Sequence, residues 1–229
     1  MKNVVEFTVQ GTGQKLQVPV NIIFNGGYAG TNQHLVREHI EELAKLGVPA
    51  PTTTPTLYPL SNYLATTSDT LQVQHGETSG EVEYAVIWHG GKKYVTVACD
   101  HTDRNLESFS VPKSKQACPD VFAPEVWAWD DVKDHFGELQ LKCWVTKNGK
   151  RELYQDAPCK AMLLPDAWAE KFEKIGVNKD NNIFISGTIN TVNNTLVFGD
   201  FFEVEIHDPV LNRTISHSYT VQVLPKGIE

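Results

Sequence analysis

The sequence predicts an α+β protein that is mainly β, on two observations. After Pro59, most apolar residues fall in short runs separated by glycine-containing turns, which is typical of strands joined by hairpins. Only two segments have the apolar spacing of a helix. With 229 residues, of which 41% are hydrophobic, the chain is long enough and apolar enough to bury a sizeable core. We expect a single domain over residues 1–229, with a strand and helix region at 1–60 and a β-rich core at 61–229.

The clearest helix is predicted over TNQHLVREHIEELAKLGVP, close to the N-terminus. Thr31 is the candidate N-cap, and Gly47 and Pro49 are expected to end the helix. Its apolar positions recur at helical spacing: Val36, Ile40, Leu43 and Ala44. The proline-containing loop PAPTTTPTLYP follows, and a second helix is predicted at PDAWAEKFEKIG.

Strands are predicted between and after these helices, wherever short runs are rich in β-branched and aromatic residues. The predicted strands are LQVQ, EVEYAVIW, KKYVTVAC, LQLKCWV, RELYQ, NIFISG, TLVFGDFFEVEI and SYTVQVL.

Composition excludes several classes of partner. The formal net charge of -8 argues against nucleic-acid binding, so a small molecule is the expected partner. No apolar run approaches the roughly 18 residues of a membrane span, and the N-terminus does not resemble a signal peptide, so we expect a soluble cytoplasmic protein without a membrane partner. The four cysteines lack CxxC spacing, which favours reduced, buried thiols.

A hairpin over EVEYAVIWHGGKKYVTVACD predicts a cluster of acidic side chains. Its Gly-Gly dipeptide favours a two-residue turn, because both positions can take positive φ. If His89 therefore pairs with Lys92, Glu81 lies opposite Asp100, and Glu83 points to the same face. The other face is then a packing surface formed by Val82, Tyr84, Val86, Trp88, Val95, Val97 and Cys99.

Three carboxylates this close raise one another's pKa unless a positive charge lies between them. An all-oxygen set suits Mg²⁺ or Mn²⁺, with Ca²⁺ as the alternative, whereas zinc usually takes nitrogen or sulfur ligands. The competing interpretation is that Glu81, Glu83 and Asp100 line a solvated sheet face.

Ordered motifs from about Gly26 to Val223 resemble those of the fumarylacetoacetate hydrolase superfamily. ACDHTDRNLE aligns without a gap on the pattern NDxSxRDxQ, and GEVE matches ExE. GYAGTNQHLVREHIEEL resembles the NYxxHxxE region, and VTKNGKRELYQ resembles the VNGExxQ hairpin. NIFISGTINTVNNTLVFGDFFEVEI resembles GDxIxTGTPxGVG followed by LxPGDxVEVEI.

The resemblance implies a mixed β-sandwich or roll with an N-terminal helical lid. It also implies that Glu81, Glu83 and Asp100 hold Mg²⁺ or Mn²⁺, and that His39 and Glu42 form a catalytic pair on the mobile helix. These two residues are three apart and so share a helix face. The alternative for this segment is a solvent-facing helix with ordinary charge pairs.

Further roles follow from the same resemblance. A family lysine matches either Lys113 or Lys115; we prefer Lys115, which with Arg104 would neutralise negative charge on the substrate. The implied substrate contacts are Thr102, Gln155, Gly187 and Thr188. Gln155 could instead only stabilise its own loop, and Gly187-Thr188 could be an ordinary turn at a strand end.

The chain departs from the family pattern in three places. A tight hairpin replaces the usual insertion between ExE and the ND motif, GY stands for NY, and the proline and glycine that follow GT are absent. The metal site is therefore better supported than the substrate pocket.

The resemblance implies a divalent-metal-dependent hydrolase, acting on a β-diketo acid or acylpyruvate and cleaving a C–C bond through a metal-stabilised enolate. Decarboxylases, keto-enol isomerases and sugar-acid dehydratases share the scaffold and are alternatives. So is a non-catalytic β module that binds a metal or a small acid. Members of the superfamily usually form homodimers, so we expect one here.

Overall fold

Two β-sheets form the framework of the computed structural model, which describes residues 3–45 and 50–228. The side chains of His39, Glu42, Leu43 and Lys45 lie outside the described part. The strands are β1 Asn3–Val9, β2 Lys15–Val20, β3 Ile22–Gly27, β4 Thr56–Ser61, β5 Ala65–Thr66, β6 Thr70–Val73, β7 Thr78–Ser79, β8 Val82–His89, β9 Lys92–Asp100, β10 Thr102–Asp103, β11 Asp120–Phe122, β12 Glu125–Ala128, β13 Gln140–Lys147, β14 Lys150–Pro158, β15 Ile183–Ile185, β16 Phe201–Asp208 and β17 Arg213–Val223.

Helices are short and connect the strands. The α-helices are α1 Gln33–Lys45, α2 Arg104–Glu107, α3 Val111–Gln116, α4 Trp129–Val132 and α5 Ala169–Ile175. Short segments of 3-10 helix cover Asn62–Leu64, Lys133–Glu138, Cys159–Ala161 and Pro165–Trp168. The predicted mainly β, α+β class is confirmed. Among the described residues, none of the helices is long and apolar enough to cross a membrane.

The ten-stranded sheet has the order β2-β1-β12-β9-β8-β15-β3-β4, with β11 paired to β9 and β5 paired to β11. The five-stranded sheet has the order β14-β13-β16-β17-β6. One hydrophobic core joins the β8–β9 hairpin to the five-stranded sheet. A second core, contributed mainly by β1, β2 and the opposite face of the hairpin, lies on the other side of the large sheet.

The large sheet is curled. β3 is three strand steps from β9, which is about 14 Å in a flat sheet. The side chain of Asn25 on β3 nevertheless donates a hydrogen bond to Asp100 on β9 at 2.8 Å. Strands on opposite sides of the curl therefore face each other across the second core.

The predicted hairpin register is confirmed. His89 pairs with Lys92 and Val82 pairs with Cys99, with both turn glycines at positive φ. The predicted packing face of the hairpin lies in the first core. All four cysteines are free and buried, also as predicted.

Both predicted helices are present, with one correction. The side chain of Asn32, not Thr31, caps α1, because its Oδ1 accepts from the backbone amides of His34 and Leu35. The Thr31 hydroxyl is instead within hydrogen-bonding distance of the carbonyl oxygens of Lys160 and Ala161. The predicted stop at Gly47 and Pro49 lies outside the described residues. Near the second predicted helix, α5 ends at Gly176 with φ 72°.

Candidate metal centre

Glu81, Glu83 and Asp100 meet at the open end of the β8–β9 hairpin. Each offers a carboxylate oxygen that lies within 4.8 Å of the other two. The backbone amide of Asp100 donates to the carbonyl of Glu81 at 2.9 Å, so the hydrogen bonding between β8 and β9 continues to the pair Glu81–Asp100. Since side chains alternate along a strand, this register puts all three carboxylates on one face.

That face is buried. Glu83 and Asp100 are fully buried, and the next residues inward on the same face, Ala85 and Ala98, belong to the second core. The solvated-face interpretation is therefore wrong, because the curl of the large sheet covers this side of the hairpin. Carboxylates in such a place must be compensated by hydrogen bonds, protons or a cation.

Glu81 is the most exposed of the three and is compensated within the chain. It accepts hydrogen bonds from Arg104 at 2.8 Å and from Lys115 Nζ at 2.6 Å. Burial by itself would raise the pKa of Glu81, but the charges of Arg104 and Lys115 outweigh burial and lower the pKa to about 2.

Glu83 is less well compensated. Its Oε2 accepts a hydrogen bond from the backbone amide of Gly187 at 2.7 Å, whereas its buried Oε1 has no partner among the described residues. Burial, followed by the nearby Asp100 carboxylate, raises the pKa of Glu83 well above its usual range. Ionisation of Glu83 is therefore unfavourable unless a cation binds next to its carboxylate.

Asp100 lies between an amide and an ammonium group. Its Oδ2 accepts from Asn25 Nδ2 and from Lys115 Nζ. Burial raises the pKa of Asp100, and Lys115 opposes only part of this increase. The ammonium of Lys115 also lies 3.3 Å from the hydroxyl of Thr102.

A fourth carboxyl group, Asp120, adjoins the cluster. It is directly opposite Asp100 in the β9–β11 pair and is fully buried. Both of its oxygens lack a hydrogen-bond partner among the described residues. Burial, and then the Asp100 charge, raises the pKa of Asp120 well above its usual range.

These residues fit an oxygen-seeking divalent cation. The donors are all oxygen atoms, and the buried atoms without partners in the described part of the chain include Glu83 Oε1, Asn25 Oδ1 and both oxygens of Asp120. Among the described residues, only two cationic side chains, Lys115 and Arg104, make ion pairs with the carboxylates of the cluster. A divalent cation would compensate the remaining negative charge.

The structure distinguishes the two candidate lysines. Lys115 on α3 is buried in the cluster, whereas Lys113 is exposed, with its Nζ 5.1 Å from the ring centroid of Phe109. Each nitrogen of the Arg104 guanidinium group donates a hydrogen bond within the protein, to Ser79, Glu107 and Glu81, at 2.8 Å in each case. Arg104 therefore holds Glu81 in place, and its substrate contact stays a prediction.

Two of the predicted substrate contacts, Gln155 and Thr188, form a hydrogen-bond network next to the cluster. Gln155 accepts from the backbone amide of Val82 and donates to Thr188 Oγ1 and the carbonyl of Ile189. The Thr188 hydroxyl donates to the carbonyl of Val82 at 3.0 Å. These bonds fix Val82 at the start of β8, between Glu81 and Glu83. Direct contact of Gln155 and Thr188 with substrate stays a prediction.

His39 and Glu42 both lie within α1, but their side chains are outside the described part of the structure. The described residues also do not show α1 as a lid over the cluster. The catalytic pair and the lid both stay predictions.

Sequence reasoning missed Asn25, Asp120 and Glu107. Asn25 interrupts the apolar run IIFN, and Asp120 begins the apolar segment DVFA. A polar residue within such a run is a signal for a buried polar group with a specific partner. Glu107 stands where the NDxSxRDxQ pattern has glutamine, and it pairs with Arg104 at 2.8 Å.

Comparison with known proteins supports the same fold. The profile of the family described as "Protein of unknown function (DUF2848)" matches residues 26–219. No curated protein matches the chain.

Three solved structures are similar over most of the chain. A fumarylpyruvate hydrolase from Pseudomonas aeruginosa in complex with Mn²⁺ and pyruvate has TM-score 0.60 and 13% identity, covering 98% of both chains. A 2-keto-3-deoxy-D-arabinonate dehydratase complexed with magnesium and 2,5-dioxopentanoate has TM-score 0.60 and 18% identity, covering 89% of this chain and 73% of that one. A 4-oxalocrotonate decarboxylase from Pseudomonas putida G7, complexed with calcium and acetate, has TM-score 0.58 and 15% identity, covering 87% and 76%. The resemblance to the fumarylacetoacetate hydrolase superfamily is thereby confirmed at the level of the fold.

Proposed function

The chain belongs to the DUF2848 family and has the fumarylacetoacetate hydrolase fold, and from this premise we propose that it is a divalent-cation-dependent enzyme acting on a small keto acid. The observation that carries the proposal is the buried cluster of Glu81, Glu83 and Asp100, whose carboxylate oxygens lie within 4.8 Å of one another. The three similar structures described above contain Mg²⁺, Mn²⁺ and Ca²⁺, and those with Mg²⁺ and Mn²⁺ also contain 2,5-dioxopentanoate and pyruvate, respectively.

The proposed reaction is hydrolysis of a C–C bond in an acylpyruvate or related β-diketo acid. Glu81, Glu83 and Asp100 would hold Mg²⁺ or Mn²⁺, which supplies Lewis-acid polarisation of a substrate carbonyl. Lys115, already in contact with Glu81 and Asp100, would neutralise negative charge that develops on the substrate.

His39, oriented by Glu42, would remove a proton from the attacking water. Both residues lie on α1, so closure of this helix over the cluster would complete the site and exclude bulk water. Thr102, Gly187 and Thr188 lie around the cluster and would orient the acid end of the substrate.

Cation binding can be tested without knowing the substrate. We expect Mn²⁺ at about 100 times its Kd to stabilise the protein by about 2.7 kcal/mol, which raises Tm by about 5–10 °C at this chain length. Glu83→Gln should abolish this increase, because it removes a ligand charge. Thermal unfolding with EDTA, Mn²⁺ and Mn²⁺ plus oxalate measures the effect, and Glu205→Gln on β16 is the matched control. An equal shift in wild type and Glu83→Gln would exclude the site.

The reaction is tested at His39. We expect His39→Ala to reduce metal-dependent acylpyruvate hydrolysis by about 10²–10⁴-fold with no change in the Kd for Mn²⁺, because the base does not hold the cation. His34→Ala, an exposed histidine on the same helix, is the control and should retain full activity.

Decarboxylation, keto-enol isomerisation and dehydration are the alternatives, and similar structures include a decarboxylase and a dehydratase. If His39→Ala hydrolyses acylpyruvates at the wild-type rate, the hydrolytic role of this residue is wrong. Oxaloacetate decarboxylation that survives in His39→Ala would favour the decarboxylase. Mn²⁺ binding with no turnover of any keto acid would indicate a non-catalytic binding module.

A further inference from the structure

We propose that Asn25 is a positioning residue of the cation centre, holding Asp100 through its amide nitrogen and offering its amide oxygen to the ligand sphere of the cation. The inference rests on the proposed function, since it takes Asp100 as a cation ligand. It adds a residue that lies outside the superfamily motifs identified in the sequence.

The contact between Asn25 and Asp100 crosses the interior of the curled sheet. Asn25 Nδ2 lies 2.8 Å from Asp100 Oδ2, and both side chains are fully buried. A hydrogen bond to a charged group contributes more than a neutral one, because the charge strengthens the attraction, and in a buried site no water can replace a lost partner. Asn25 thus restricts the rotation of the Asp100 carboxylate.

The amide oxygen of Asn25 is free to bind a ligand. Asn25 Oδ1 is buried and has no partner among the described residues. Exchanging the amide oxygen and nitrogen would not solve this, because Oδ1 would then face the oxygen of Asp100. A buried amide oxygen beside carboxylates is suited to a cation or to a water bound to that cation.

The backbone around Asn25 couples two of the carboxylates. A Cβ at Gly26 would lie 2.6 Å from the carbonyl oxygen of Ser186, and one at Gly187 would lie 2.8 Å from the carbonyl oxygen of Gly26. Two glycines therefore allow the end of β3 to touch the segment that follows β15. Because these two segments are in contact, they move together. One of them carries Asn25, which donates to Asp100, and the other carries the amide of Gly187, which donates to Glu83.

Groups that orient metal ligands typically change metal affinity by about 10–100-fold when they are removed. We expect Asn25→Leu, which keeps the number and branching of the side-chain heavy atoms and removes both ends of the amide, to raise the Kd for Mn²⁺ by this factor. The freed Asp100 carboxylate should also alter the zero-field splitting in the Mn²⁺ EPR spectrum. Asn25→Ser, which is too small to crowd the interior, should show the same change.

The experiment is an EPR titration of the intact protein with Mn²⁺, using wild type, Asn25→Leu, Asn25→Ser and Asn182→Leu. Asn182 is the matched control, because it is also buried but donates to the carbonyl oxygens of Gly176 and Val177. Asn182→Leu should bind Mn²⁺ with the wild-type Kd and spectrum even if its Tm falls.

The outcomes separate this inference from the proposed function. If wild type binds Mn²⁺ and both Asn25 variants match its Kd within twofold and its spectrum, the inference is wrong and the proposed function stands. Equal weakening in Asn182→Leu would also overturn it, since general loss of stability would explain the result. If wild type does not bind Mn²⁺, the proposed function fails and the inference with it.

Discussion

Glu81 and Glu83 are two residues apart on the same sheet face, yet their surroundings are opposite. Glu81 receives hydrogen bonds from Arg104 and Lys115, which lower its pKa to about 2. Glu83 receives one from a backbone amide, and burial raises its pKa. The charge of Glu81 is thus compensated by two cationic side chains of the protein, whereas a charge on Glu83 would need a bound cation to compensate it.

The buried acids predict an unusual pH dependence of the metal-free protein. Asp120 has a folded pKa above its unfolded value of about 3.9, so the folded state binds more protons between these two values. The free energy of unfolding therefore falls as pH rises through this range, by about 1.4 kcal/mol for each unit of pKa shift. Glu81 has the opposite sign, because its pKa is lowered and its stabilising effect is lost only as pH falls towards about 2.

We expect Asp120→Asn to be more stable than wild type at pH 8 in EDTA, with the difference shrinking towards pH 4. Asn is similar in size to Asp and carries no charge, so it removes the cost of ionisation at this site. Urea unfolding between pH 4 and 8 measures the difference, with exposed Asp156→Asn as the control. A constant difference across this pH range would contradict the expected ionisation of Asp120.

At the scale of elements, the cluster depends on tight contact between β3 and the segment after β15. Gly187 has φ 82°, and its backbone amide donates to Glu83. Its lack of a side chain is required twice, for the positive φ and for the approach to Gly26. The sequence pattern identified Gly187 as a substrate contact, whereas the observed contact orients a carboxylate.

Gly187→Ala separates these two requirements when compared with Gly149→Ala. Gly149 in the β13–β14 turn has φ 76°, but a Cβ there would meet nothing within 4 Å. We expect Gly149→Ala to cost about 1 kcal/mol from φ alone, with an unchanged Kd for Mn²⁺. Gly187→Ala should cost more and should weaken Mn²⁺ binding, because the amide moves away from Glu83. Urea unfolding and Mn²⁺ titration test both variants, and equal effects would show that the close approach is unimportant.

At the scale of the whole molecule, the curl of the large sheet makes the site. It buries the face of β8 and β9 that carries the acids, and it brings β3 across from β9. Part of this fold was predictable, since turn glycines and alternation gave the β8–β9 register. The pair β3–β4 and the short strands β11 and β12 were not predicted, because partners far away in the chain define them. The local hairpin β1–β2 was also not predicted.

The sequence by itself determined the mainly β class, the hairpin register and the common face of Glu81, Glu83 and Asp100, because turn chemistry and side-chain alternation are local properties. The motifs also indicated the superfamily. Only the tertiary structure decided that this face is buried, that Lys115 rather than Lys113 joins it, and that Asn25 and Asp120 adjoin Asp100. These contacts join residues far apart in the chain, and the closure of the sheet brings them together.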